Sequence, residues 1–236
     1  MSNSPLRIGV IPSRYASQRL PGKPLIDLCG KTMLERVWLA AVRSQNLDAV
    51  IIATDDERIE TVARGFGADV ELTSPALESG TDRCYAAVVQ RGLQPDIVVN
   101  IQGDEPLLQP TLVDALVKSL EQSTADVATA YYPLAEEERA DNSVVKIVIS
   151  ENGIATGFSR QPVQTPWKHL GLYAYRWRSL LWHIQKAPSE SERAEKLEQL
   201  RLFEAGAVFT CCLSTSRLIA VDTSADAERV RTALGC

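Results

Sequence analysis

Short apolar runs that lack polar alternation, separated by helical patterns, constrain this chain most. Residues 7–11 (RIGVI), 49–54 (AVIIAT) and 96–101 (DIVVNI) are such runs. A strand apolar on both sides must be covered on both sides, and helical crossovers that do this make neighbouring strands parallel. Helical patterns follow at 32–44, 56–66, 81–91 and 110–122, with a further short strand at 69–73. Thr32 and Glu35 have capping-box spacing, and Gly67 and Gly92 stand where helices would stop. The expectation is an α/β fold, a doubly wound and mostly parallel sheet over about the first 125 residues.

Beyond that point the texture changes. Residues 126–132, 144–149, 154–159 and 169–175 are strand-like with no long helix between them. They predict a small mixed-strand subdomain, with a charged turn at 136–141. Helices at 177–186 and 192–205, strands at 208–213 and 218–221, and a last helix at 225–234 follow. No low-complexity linker interrupts the chain. The expected organisation is one domain over 1–236, in parts 1–125, 126–215 and 216–236.

Charge and cysteine content narrow the function. The 236 residues carry 25 Lys and Arg against 30 Asp and Glu, a net charge of −5. A general nucleic-acid binder would be basic, so nucleic acid is not an expected partner. Cys29, Cys84, Cys211, Cys212 and Cys236 are odd in number and form no C-x-x-C pair. They read as incidental thiols of a reducing compartment, not as a disulfide framework. No signal-peptide core and no apolar run of ~18 residues is present. A soluble cytoplasmic protein with no membrane partner is the expectation.

Ligands of open α/β sheets gather at the carboxyl ends of the strands, so the residues after each strand matter. After the first come Arg14, Arg19 and Lys23 in a loop punctuated by Pro12, Pro21, Gly22 and Pro24. Arginine forks and a lysine point charge suit a polyphosphate. A solvated basic loop is the bland alternative, and neither of the usual glycine-rich phosphate loops is present. The second strand ends in Asp55 and Asp56, either of which serves as a helix cap or faces a ligand. Ser79, Gly80 and Thr81 precede another helix and offer donors, though weakly as a bare signal. Asp104 and Asp222 each follow a buried strand. Two such carboxylates suit one shared Mg²⁺, and Asp222 also has the position of a helix cap.

The blocks IPSRYASQRLPGKPL, ATDD, SGTDR, NIQGDEPLL, FSR, KHLGLYAYR, KLEQLR and VDTSADAERVR occur in this order. Together they resemble the 3-deoxy-D-manno-octulosonate (Kdo) cytidylyltransferases, from about Ile8 to Arg231. The resemblance implies a nucleotide-diphospho-sugar transferase-like fold and a homodimer. It implies CTP and a sugar acid as substrates, Mg²⁺ as cofactor, and a CMP-sugar acid and pyrophosphate as products. It places Arg14, Arg19 and Lys23 on the triphosphate, with Lys23, Arg19, Asp104 and Asp222 in the chemistry. Ala53, Asp55, Ser79, Gly80, Thr81 and Gln102 would contact the nucleotide. Asp104 and Asp222 would hold the metal. Arg83, Arg160, His169, Tyr173, Glu198 and Gln199 would hold the acid. His183 lies outside every block and reads as structural.

One segment departs from the pattern. Family members usually carry a longer stretch between the FSR and KHLG blocks than the eight residues 161–168 found here. A long flap over the sugar cannot be built from them, so a more open acceptor side is expected, with weaker discrimination and a shift of acceptor acid. An amino-Kdo, a nonulosonic acid or a specialised-metabolite acid is the nearest alternative acceptor. A non-catalytic nucleotide-binding paralogue is a second alternative, opposed by the presence of Lys23, Asp104 and Asp222. The glycine-rich opening loop usual in uridylyl- and guanylyltransferases is absent.

Overall fold

The computed structural model describes residues 5–16 and 19–236, so Ser17 and Gln18 of the basic loop lie outside the described residues. In chain order come β1 (Arg7–Ser13), α1 (Met33–Ala41), β2 (Ala49–Thr54), α2 (Glu57–Gly65), β3 (Asp69–Leu72) and α3 (Gly80–Gln90). Next are β4 (Ile97–Asn100), α4 (Pro110–Glu121), β5 (Val127–Pro133), β6 (Lys146–Ile149), β7 (Ala155–Ser159) and β8 (Trp167–Arg176). α5 (Trp177–Gln185), α6 (Glu190–Glu195), α7 (Gln199–Glu204), β9 (Phe209–Leu213) and α8 (Ser224–Leu234) follow.

The chain groups into two compact units, Met1–Asp114 with Leu218–Cys236, and Ala115–Arg217. In the first unit β1 pairs in parallel with β2 and with β4, and β2 with β3. Val10, Ile11, Ile52, Val98 and Val99 are fully buried. Burial of each such side chain contributes about 1.5–3 kcal/mol, which is why these runs form interior strands. Polar caps start the helices: Thr32 accepts from the Glu35 amide, Asp56 from Arg58, and Ser79 from Asp82. The second unit is mixed. β5 pairs in parallel with β9 and antiparallel with β8, with a register shift between Thr129 and Ala130. β6 pairs antiparallel with β7.

Three expectations are corrected. Residues 218–221 form no strand; their tie is a backbone bond from the Val221 amide to the Asp104 carbonyl at 2.9 Å. The helix expected over 192–205 is broken into α6 and α7, because Lys196 takes φ 54° in the left-handed region. A buried ion pair between Arg201 and Glu192, 2.6 Å, spans that break. Finally, Cys29 and Cys236 are joined in a disulfide, with Cα atoms 6.0 Å apart across 207 residues. Docking of α8 brings the two cysteines together, and nothing local in either sequence context announces it. Among the described helices none is long and apolar enough to cross a membrane.

Candidate active site

The strand order of the first unit reverses at β1, since β2 and β3 lie to one side and β4 to the other. Such a switch point leaves a crevice beyond the strand ends. A cavity of about 240 Å³ lies there, lined by Pro12, Ser13, Arg14 and Ala16 after β1, by Lys23, and by Gln102, Gly103 and Asp104 after β4. The two strand exits touch closely. A Cβ on Gly103 would stand 3.0 Å from the Pro12 carbonyl oxygen, so only glycine fits without moving backbone.

The basic loop folds back on itself. The Gly22 amide donates to the Tyr15 carbonyl at 3.2 Å. Gly22, at φ 69°, then opens a short 3₁₀ turn, Lys23–Leu25, that carries Lys23. The Lys23 Nζ lies 2.7 Å from Asp104 Oδ2 and 3.1 Å from Asp222 Oδ1. Arg19 reaches the other Asp222 oxygen at 3.0 Å. Burial alone would lower the Lys23 pKa, but Asp104 first and Asp222 second outweigh it and hold the ammonium above its ordinary value. Asp222 is itself positioned by the start of α8. Its amide donates to Asp226 Oδ2 at 3.1 Å, the carboxylate that also accepts from the Thr223 amide at 2.8 Å.

Not every expected nucleotide contact lines the cavity. Arg14, Lys23, Gln102 and Asp104 do. Arg14 is already fixed by a bond to the Leu77 carbonyl. Ala53 is fully buried in β2, and buried Thr81 accepts from Asn100 Nδ2 at 3.3 Å. Ser79 spends its acceptor capacity as the cap of α3, while Gly80 packs its backbone beside Pro12.

Arg83 is a correction. Its side chain is fully buried, with Nη1 2.5 Å from Thr73 Oγ1 and Nη2 2.8 Å from Asp55 Oδ2. It is an internal partner of Asp55, not a cation open to an acid's carboxylate. Burial pulls its pKa down, and Asp55 partly restores it. The position four residues after the Ser79 cap turns it inward.

The remaining acid-binding candidates belong to the second unit. Arg160 gives Nε to the Glu195 carbonyl at 2.7 Å and Nη1 to the Ser143 carbonyl at 2.9 Å. Thr129 Oγ1 donates to the Leu172 carbonyl at 3.0 Å and so accepts from His169 Nε2–H at 2.8 Å. This network assigns the Nε2–H tautomer and leaves Nδ1 as an acceptor. Burial depresses the His169 pKa to about 3, so the ring is neutral at ordinary pH. Tyr173, its ring centre 5.4 Å from that of His169, is raised well above the phenol range, by burial first and by Tyr175 and Glu198 next. Gln199 is buried, and its Nε2 has no partner among the described residues. Half-buried Glu198 caps the same helix, α7, from the outside.

Sequence reasoning passed over Ser13. Its hydroxyl is buried, lines the cavity, and has no hydrogen-bond partner among the described residues. The available signal was its place at the very end of β1. Glu195 was also missed; it accepts from the Arg160 amide at 2.5 Å and from Ser159.

The cytidylyltransferase family profile matches residues 8–215. A 3-deoxy-manno-octulosonate cytidylyltransferase of Myxococcus xanthus is 43% identical over 233 residues, covering 94% of each chain. A CMP:2-keto-3-deoxy-manno-octonic acid synthetase solved in complex with CTP is 38% identical with a TM-score of 0.91, over 97% of this chain and 98% of that one. A putative glucose-1-phosphate thymidylyltransferase of Bacillus anthracis, 14% identical with a TM-score of 0.72 over 96% of this chain and 94% of that one, shares the fold alone.

Proposed function

The chain belongs to the cytidylyltransferase family, and from that premise we propose that it transfers CMP from CTP to the anomeric hydroxyl of Kdo. The new bond joins the anomeric oxygen to the α-phosphorus. The bond between that phosphorus and the pyrophosphate oxygen breaks, and the hydroxyl proton is lost to water. The observation that carries this reading is the Lys23 ammonium, seated between Asp104 and Asp222 beside the cavity at the ends of β1 and β4.

The protein's task is positioning and charge neutralisation. Lys23, kept protonated, and Arg14 and Arg19 supply positive charge to the triphosphate and to the departing pyrophosphate. Gln102 and Ser13 contribute neutral polar contacts within the same cavity. The Mg²⁺ of this reading fits the residues present. Two carboxylates already converge on one cation, and Mg²⁺ takes one or two carboxylates with phosphate oxygens and water. Asp104 and Asp222 would hold it, and when bound it supplies further charge stabilisation. For the acid, neutral His169 offers its Nδ1 lone pair, Gln199 a free amide donor, and Tyr173, Glu198 and Arg160 further polar groups.

A homodimer and a cytoplasmic location complete the proposal as expectations from the sequence. The relatives' names favour Kdo, so the short link at 161–168 is taken as a difference in how the acceptor side closes. The experiment is pyrophosphate release with CTP, UTP, ATP and GTP against Kdo and related 2-keto sugar acids. Turnover that requires CTP and is best with Kdo supports the reading. Equal use of all four nucleotides, or no turnover with any acid, removes it.

A further inference from the structure

We propose that Cys29 and Cys236 are a reversible dithiol–disulfide pair that sets how firmly Asp222 is held against Lys23. The pair joins two segments that meet at the catalytic carboxylate. Cys29 follows Lys23 by six residues, just past the 3₁₀ turn that carries it. Cys236 lies just beyond α8, whose opposite end presents Asp222.

Noncovalent contacts also hold α8 in place. Leu28, Met33, Val221, Ala227 and Val230 form a buried cluster, with Leu20, Ile26, Leu107, Ile219 and Leu234 packed against it. Arg231 donates to the Asp27 carbonyl at 2.6 Å, and the Val221 amide to the Asp104 carbonyl. A covalent clamp closing 207 residues of chain adds a further constraint to this apolar contact. Where the protein works in a reducing compartment, as proposed above, such a bond is of the transient, redox-sensing kind.

The other cysteines do not compete. Cys84 is buried. Burial pushes the Cys211 thiol up to about 12 and raises Cys212 as well, so neither forms the attacking thiolate readily. Cys236 by contrast is exposed.

Formation needs only a low-molecular-weight disulfide. One protein thiolate attacks it, expelling one small thiol and forming a mixed disulfide. The second protein thiolate attacks that bond, expelling the second small thiol. Two protein thiols become one disulfide, and the small disulfide is reduced to two thiols. A dithiol reduces the protein disulfide by two exchanges of the same kind, leaving two protein thiols and the dithiol as its cyclic disulfide.

The test treats the full-length protein with oxidised glutathione or with dithiothreitol. Thiol titration in denaturant should find three free thiols after oxidation, those of Cys84, Cys211 and Cys212, and five after reduction. Reduction should lower the melting temperature by roughly 5–15 °C. Hydrogen exchange over residues 218–226 should quicken by about tenfold while exchange in β1 is unchanged, and kcat should fall several-fold. Cys29→Ser and Cys236→Ser should each reproduce the reduced protein and ignore dithiothreitol. Five free thiols after oxidation would overturn the proposal, as would a reduction that leaves exchange over 218–226 unaltered. The activity arm rests on the proposed reaction; thiol count, melting and exchange do not, so failure of that reaction leaves them decisive.

Discussion

Lys23 Nζ stands 2.7 Å from Asp104 Oδ2, although 81 residues separate them. One residue comes from the loop after β1, the other from the turn after β4, and Asp222 joins them from the far end of the chain. A protonated amine is thus held between two carboxylates beside the switch-point cavity, where the proposed reaction needs charge to meet the triphosphate.

Removal of either carboxylate should stop turnover without unfolding the protein. Asp104→Asn and Asp222→Asn are each expected to lower kcat by at least about a thousandfold, since such charge stabilisation is worth several kcal/mol. Rates should be measured at saturating Mg²⁺, with melting temperature as the control. Wild-type turnover in either variant would contradict the shared-carboxylate centre.

Lys23 should stay charged throughout the working range. Its folded pKa is raised above 10.5, so the stability contributed by its two ion pairs is fully present below pH 10.5 and is lost as pH rises through the folded value. Stability of the wild type should therefore fall at alkaline pH more steeply than that of Lys23→Met. Superimposable alkaline limbs in urea titrations would refute this. His169 has the opposite limb. Its pKa drops from 6.5 unfolded to about 3 folded, so the unfolded chain binds the extra proton and stability declines as pH falls below 6.5. His169→Gln should flatten that decline.

How much of this centre was legible follows from its parts. Lys23 and Asp104 could be singled out because a parallel sheet puts ligands at strand ends; Asp222 was reached through a strand at 218–221 that the structure lacks, and what places it is the start of α8. The mutual distances of the three were not legible, because they depend on how segments 81 and 199 residues apart pack. Arg83 misled for a local reason: the family resemblance assigned it to the acid, but its own helical phase turns it toward Thr73 and Asp55. The disulfide was invisible because only the docking of α8 brings Cys236 to Cys29. Ser13 was overlooked because a serine among arginines and prolines has no distinguishing pattern; its burial without a partner marks it.

Arg83→Ala should act on folding, not on acid recognition. Breaking a buried ion pair costs about 3–5 kcal/mol. A clear loss in denaturant midpoint with an unchanged KM for Kdo in the folded fraction is expected. A raised KM for Kdo with native stability would return Arg83 to the acceptor site.

Ser13→Ala should weaken CTP use modestly. A hydrogen bond from a neutral hydroxyl is worth about 0.5–1.5 kcal/mol, or roughly two- to twelvefold in kcat/KM for CTP. Equal kcat/KM in the variant would make the Ser13 hydroxyl an idle group.

The bond from the anomeric oxygen to the α-phosphorus can be observed directly. Phosphorus NMR of the purified protein with CTP, Kdo and Mg²⁺ should show one new phosphodiester resonance of a CMP-sugar acid growing in step with pyrophosphate, and none when UTP replaces CTP. Pyrophosphate appearing without that phosphodiester, or the same rate with UTP, would contradict the proposed transfer.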